Sequence, residues 1–148
     1  MLKRLILVTL AGSMLAASAA RAADAMDSQL REKARRAVDA GLHYLRSQQG
    51  EDGSVARSVG ITSLSLRAFL ESHRGYNEGD GPFITKQVEF LLSKVNADGS
   101  ISESLQNRSY NTAVALNALT ATKNPRYESV VAGGRKFLTG HQIDEGEG

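Results

Sequence analysis

The residues best equipped to meet a ligand lie in QNRSYNT, Gln106 to Thr112. Arg108, Tyr110 and Asn111 bring a cation, a phenol with an aromatic face and an amide into one short stretch. That set can hold an anionic or hydroxyl-rich molecule through charge, stacking and paired hydrogen bonds. The stretch directly precedes a helical segment, so a plainer reading stands beside this one. Ser109 or Asn107 then caps the helix, and Arg108 is solvated.

A second set of polar residues repeats. Asp52-Gly53-Ser54 returns as Asp98-Gly99-Ser100, and Glu145-Gly146 echoes it near Gly148. Calcium loops use alternating acids and a distal Glu, and neither Asp-Gly-Ser stretch has that alternation. A structural turn accounts for them: Gly accepts positive φ, and the preceding acid bonds nearby backbone N–H groups. The acids Asp144, Glu145 and Glu147 read as a solvated tail. His43, His73 and His141 share no ligand spacing. The chain contains no G-x-S-x-G elbow, no G-x-G-x-x-G and no P-loop. No residue is assigned a catalytic or metal-binding role, and no cofactor is expected. Asn107-Arg108-Ser109 has the form of a glycosylation acceptor, which matters only in a eukaryotic secretory route.

The elements that must position these residues begin after a leader. Met1 to Ala22 has a basic start (Lys3, Arg4), an uncharged apolar run from Leu5 to Ala20 and a small-x-small end at Ala20-Arg21-Ala22. This is the pattern of a secretory signal peptide, and the apolar run is shorter than the ~20 residues that span a bilayer. The reading divides the chain into a leader at 1–22 and a mature part at 23–148. It places the protein outside the cytoplasm, periplasmic or extracellular, with no stable membrane span once the leader is cleaved. Lys3, Arg4 and Arg21 take three of the 18 basic residues with them, leaving 15 against 16 acids. The basic balance of the full chain therefore belongs to the leader, and no nucleic-acid partner is expected. Zero Cys excludes disulfides, thiolate metal sites and a Cys nucleophile.

Five segments of the mature part have helical spacing, and none shows sustained period-two alternation. The first runs from Leu30 through Ala34, Ala37, Val38 and Leu42 to Leu45, with Ser28 or Asp27 as its cap. The second spans Ile61 to Phe69, extended by Leu70. The third, about Ile84 to Val95, has one stripe of Ile84, Val88, Leu91, Leu92 and Val95. The fourth is Tyr110 to Thr122, stopped before Pro125. The fifth is Tyr127 to Leu138. Apolar residues of the second and fourth spread over more than one face, as in helices buried on several sides. The fold class is all-α.

The segments repeat. Tyr44-Leu45, Phe90-Leu91 and Phe137-Leu138 correspond, and an acid-Gly turn follows each pair. TSLSLRAF, Thr62 to Phe69, echoes TAVALNAL, Thr112 to Leu119. The unit is an amphipathic helix, an acid-Gly turn and a more buried helix. Two copies are complete, and a third stops after its first helix. Such hairpins bury their second faces by stacking.

AGLHYLRSQQGEDGS (Ala40 to Ser54) with TSLSLRAF, and VEFLLSKVNADGS (Val88 to Ser100) with TAVALNAL, resemble the prenyltransferase and squalene-oxidase repeat. GGRKFLTGHQIDEGEG opens a third unit. The resemblance implies helical hairpins forming part of an αα-toroid, incomplete here, with the second helix of each pair on the inner ring. It also implies a Gln near the turn, at Gln48 or Gln49 and at Gln142, that ties the turn to a neighbouring helix. The middle repeat departs, with Ser93 to Val95 at that place. The Trp that often follows the turn is replaced by Val55 and Ile101. The cyclases of this superfamily carry a DxDD acid and the protein prenyltransferases a Cys-containing zinc site. Neither occurs in this chain, so the resemblance implies the scaffold and not the activity. Some toroidal polysaccharide lyases use Arg, Tyr and Asn on a related helical architecture, which returns attention to Arg108, Tyr110 and Asn111.

Three functions remain open. The chain is an exported non-catalytic scaffold or binding module, for a small molecule, glycan or peptide; or it is the front of a cyclase-like, prenyltransferase-like or lyase-like toroid enzyme whose chemistry lies beyond Gly148; or it is an envelope protein that associates with itself through an open repeat edge. Stacked repeats usually need about three units, so two and a half are expected to be marginal alone or to associate.

Overall fold

A computed structural model describes residues 27–142. The leader at 1–22, and Glu145 and Gly146, lie outside the described residues. The described residues are mostly helical and contain no strand, so the all-α expectation holds.

The chain divides into two compact units, 1–40 and 41–148, each described by itself. In the first, residues 27–40 are helical. Arg31 pairs with Asp27, and Arg36 with Glu32 at 3.2 Å. Such exposed i,i+4 pairs contribute only about 0.3–0.5 kcal/mol each. Leu30, Ala34, Ala37 and Val38, which the sequence aligns on one helix face, are exposed.

The second unit opens with helical residues 41–47 (α1), of which Leu42 is buried and Leu45 packs on the core. Four further helices follow: α2 (Val59–Glu71), α3 (Pro82–Ser93), α4 (Arg108–Ala121) and α5 (Glu128–Gly140). Single turns of 3-10 helix at Glu78–Asp80 and Pro125–Tyr127 lead into α3 and α5. Pro82 starts α3 at its first turn, where the missing N–H costs nothing, so the helix begins earlier than its apolar stripe indicates. Asn124 is extended, as a residue before proline should be, and its side chain accepts from the Arg126 N–H.

α2 packs against α4 and α3, and α4 against α5. The core between them holds Leu66, Phe69, Ile84, Leu91, Ile101 and Leu119, all essentially inaccessible to water. Phe69, Tyr76 and Phe83 meet edge-to-face with ring centres 5.3–5.8 Å apart. Of the aromatics that precede the repeated Leu, Phe90 and Phe137 are buried, but Tyr44 is 61% exposed.

The two Asp-Gly-Ser turns have one geometry. In the first, Gly50 N–H donates to Ser54 O at 2.8 Å and Gly53 N–H to Gly50 O at 3.0 Å; in the second, Asn96 N–H donates to Ser100 O at 2.8 Å and Gly99 N–H to Asn96 O at 2.9 Å. Asp52 Oδ1 accepts from both the N–H and the hydroxyl of Ser54, and Asp98 Oδ1 from those of Ser100. Gly53 and Gly99 share φ of +85°. Each is pressed on the next hairpin: a Cβ on Gly53 would collide with the Lys86 carbonyl of α3, and one on Gly99 would lie 2.6 Å from the Gly133 carbonyl of α5. Gln49 reinforces the first seat, its amide donating to Gly53 O and to Phe83 O at 3.0 and 3.2 Å. In the middle repeat Asn96 takes over, its amide reaching Ser100 and Ser102 within its own turn.

The turns also reach into the second helix of their own hairpin. Val55 N–H donates to Thr62 Oγ1 at 2.9 Å, and Ile101 N–H to Thr112 Oγ1 at 3.0 Å. Both threonines are fully buried. The TSLSLRAF echo is therefore a structural equivalence. Between the hairpins, Glu78 accepts from Asn124 Nδ2 at 2.9 Å and from the Tyr127 hydroxyl at 2.6 Å. Burial, and then the Glu78 carboxylate, push the Tyr127 phenol up to about 12, so it remains a donor throughout the neutral range.

Gly53→Ala and Gly99→Ala each combine a left-handed backbone with a steric clash and should lower the unfolding free energy by about 2–5 kcal/mol. Gly75 has φ +60° but open space around it, so Gly75→Ala should cost only the backbone term of about 1–2 kcal/mol. Chemical denaturation of the three variants checks the order.

Candidate functional site

A set of polar residues gathers where α2 and α4 begin, and of the three candidates only Asn111 is hydrogen-bonded within it. Ser58 caps α2, its hydroxyl accepting from the Ile61 N–H at 3.4 Å. Glu103, from the loop before α4, adds a second cap: its Oε2 accepts from the Val59 N–H at 3.3 Å and from the Asn111 amide at 3.2 Å. A carboxylate at a helix N-terminus is favoured by the unpaired N–H groups and their dipoles. Asn111 Nδ2 also donates to Ser102 Oγ at 3.2 Å, and Ser102 donates on to Ser104 O at 2.7 Å. Gly60 lets α4 approach: a Cβ there would sit 3.0 Å from Asn111 Oδ1 and 3.3 Å from the Tyr110 ring.

The three candidate residues part company. Asn111 is 7% exposed and committed to Ser102 and Glu103. Tyr110 is 56% exposed and offers its ring beside Gly60. Arg108 turns away from both, pairing with Asp98, donating to Ser100 Oγ at 2.8 Å and lying over the Phe137 ring at 5.2 Å. It is neither solvated nor beside Tyr110's face. It clips the start of α4 to the second turn and to α5. Asn107 does occupy the position before the helix, but in left-handed backbone (φ 56°) and without a side-chain cap bond, and Ser109 lies inside α4.

The histidines stay apart. His43 is exposed. His141 ends α5, its Nδ1 2.9 Å from Phe137 O and its ring 4.1 Å from that of Phe137. No group of three or more His, Asp or Glu residues suited to a metal occurs among the described residues. No described helix is long and apolar enough to cross a membrane.

Two hollows flank α5. One, of about 420 Å³, lies between the second turn and α5 and is lined by Asp98, Lys136 and His141. The other, of about 510 Å³, lies between the end of α4 and the first half of α5 and is lined by Leu119, Lys123, Tyr127, Val131 and Arg135. Sequence reading missed Glu103, which belongs to a loop, has no spacing signal and gains its role only when α2 comes beside it. Comparison with family models, with characterised proteins and with solved structures finds no match to this chain.

The repeated acids have one electrostatic signature. The Ser54 hydroxyl, then the Ser54 N–H, hold Asp52 below its ordinary pKa; the Ser100 hydroxyl and N–H, with Arg108 behind them, do the same for Asp98. A lowered folded-state pKa contributes stability above the unfolded value, and that stability is lost as pH falls through the folded value. The turns should therefore loosen on acidification below about pH 4. Carboxyl-resolved NMR titration should place Asp98 below an ordinary aspartate. Ser100→Ala and Arg108→Ala should each raise it, because the hydroxyl and the guanidinium both hold the carboxyl down.

Proposed function

We propose that this chain is an exported, non-catalytic scaffold of prenyltransferase/squalene-oxidase type, an arc of an αα-toroid with α2 and α4 inner and α1, α3 and α5 outer. One observation carries the reading: the side chains most capable of chemistry are engaged in holding consecutive hairpins together. Asp52 and Asp98 close the turns, Arg108 clips α4 to the second turn, and Glu78 receives Asn124 and Tyr127 across the repeat boundary. The packing of α2 on α4, α3 on α2 and α5 on α4 fits paired rings. The leader-like start supports export to the periplasm or the outside.

The binding surface of this scaffold is the joint start of α2 and α4. There the Tyr110 ring stands open beside Asn111 and the Glu103 carboxylate. An aromatic face next to hydrogen-bonding groups suits a sugar ring or an extended peptide. Amide NMR titrated with short soluble glucan and chitin oligosaccharides and with unstructured peptides tests this. Shifts should cluster at Gly60, Glu103, Tyr110 and Asn111, be reduced by Tyr110→Ala, and leave the added molecule intact. Cleavage of the added sugar would overturn the non-catalytic reading in favour of a lyase-like toroid enzyme. Absence of shifts at millimolar concentrations of every probe would overturn the binding surface.

A further inference from the structure

The equivalence of the two hairpins shows which faces of α2 and α4 are covered and which are open. The bonds to Thr62 and Thr112 set α2 and α4 in register, so Ile61, Leu64 and Ala68 correspond to Asn111, Val114 and Ala118. On α4 this face turns toward α2, with Asn111 against Gly60; Asn111 and Ala118 are buried and Val114 half-buried. On α2 the same face is open: Ile61 is 46% exposed, Leu64 48%, and Ala68 is exposed as well.

The opposite faces show the complement. Gly60, Ser63, Arg67 and Leu70 share another face of α2, which meets α4 at Gly60; Gly60 and Ser63 are buried and the other two half-buried. Their equivalents Tyr110, Asn117 and Thr120 are exposed, and Ala113 is half-buried. The first helices follow suit. Ile84 and Val88 of α3 are buried, while Val131 and Arg135, at matching places of α5, line the open hollow of about 510 Å³.

Each open face is thus one half of an interface that the chain already makes internally. We infer that a second copy of this chain covers them head to tail, the Ile61/Leu64/Ala68 face of its α2 lying on the Ala113/Thr120 face of α4 and over the adjoining hollow. The contact continues the packing of α2 on α4, with apolar Ile61 and Leu64 taking the places of Asn111 and Val114 and small Ala113 that of small Ser63. It is heterologous, so it either closes into a ring or grows as a filament. The inference rests on the repeat geometry and is independent of the ligand proposed above.

Sedimentation velocity of protein expressed from the full chain, with the N-terminus its host leaves, tests it. The mass should rise with concentration. Leu64→Glu and Thr120→Glu place one charge on either face at exposed positions, where folding tolerates change; unaltered circular dichroism melts check this. Should Thr120→Glu prove too mild, Ala113→Glu is added to it. Each variant should stay monomeric, because one of its two faces is blocked. An equimolar mixture should give a species of twice that mass, since the intact α4 face of one variant meets the intact α2 face of the other. A wild-type chain that stays monomeric up to millimolar concentration overturns the inference. So does assembly of both variants like wild type, which would place association at the chain's apolar start or elsewhere. A mixture that stays monomeric while wild type assembles also overturns it.

Discussion

The whole arrangement of the second unit depends on backbone touching backbone at Gly53 and Gly99. Each turn lies directly on a carbonyl of the next hairpin's first helix, at Lys86 and Gly133. This contact fixes how far one hairpin stands from the next, because no side chain separates them and none can adjust. The Asp-Ser bonds hold each turn in the conformation that allows the approach. The buried bonds from Val55 to Thr62 and from Ile101 to Thr112 then fix the second helix relative to the turn. An unpaired buried N–H would cost about 1–3 kcal/mol at each place, which explains a buried threonine hydroxyl on each second helix.

Such a design uses polar residues as architecture, and that changes how the candidate site reads. Arg108 has the chemistry of a ligand contact but is held by Asp98, Ser100 and Phe137. Asn111 has the chemistry of substrate recognition but closes the gap between two helix starts. Of the trio, Tyr110 alone keeps an open face.

Much of this was legible in the sequence wherever the cause is local or periodic. The acid-Gly-Ser spacing announced the turns, because positive φ and an acceptor before it are local requirements. The TSLSLRAF and TAVALNAL echo located equivalent helices. Features that depend on a distant partner stayed hidden. Glu103 reaches the start of α2, and Tyr127 reaches Glu78, across separations with no periodic trace. Left-handed backbone at Ala56, Arg57 and Lys123 is equally invisible, since these residue types do not favour it; only Asn107 is of a type that does. The apolar spacing of Leu30, Ala34, Ala37 and Val38 shows the opposite failure: periodicity gives a helix but does not supply a partner for its stripe. Tyr44 fails the same way, matching Phe90 and Phe137 in sequence place but not in burial.

Native-state hydrogen exchange at the Val55 and Ile101 amides tests the seated-turn account most directly. Both N–H groups should be among the slowest in the chain and should exchange with the same free energy as global unfolding, because releasing either means unseating a turn. Fast exchange at either amide, on the scale of the surface loops, would mean that the turns open by themselves and that something else holds the hairpins together.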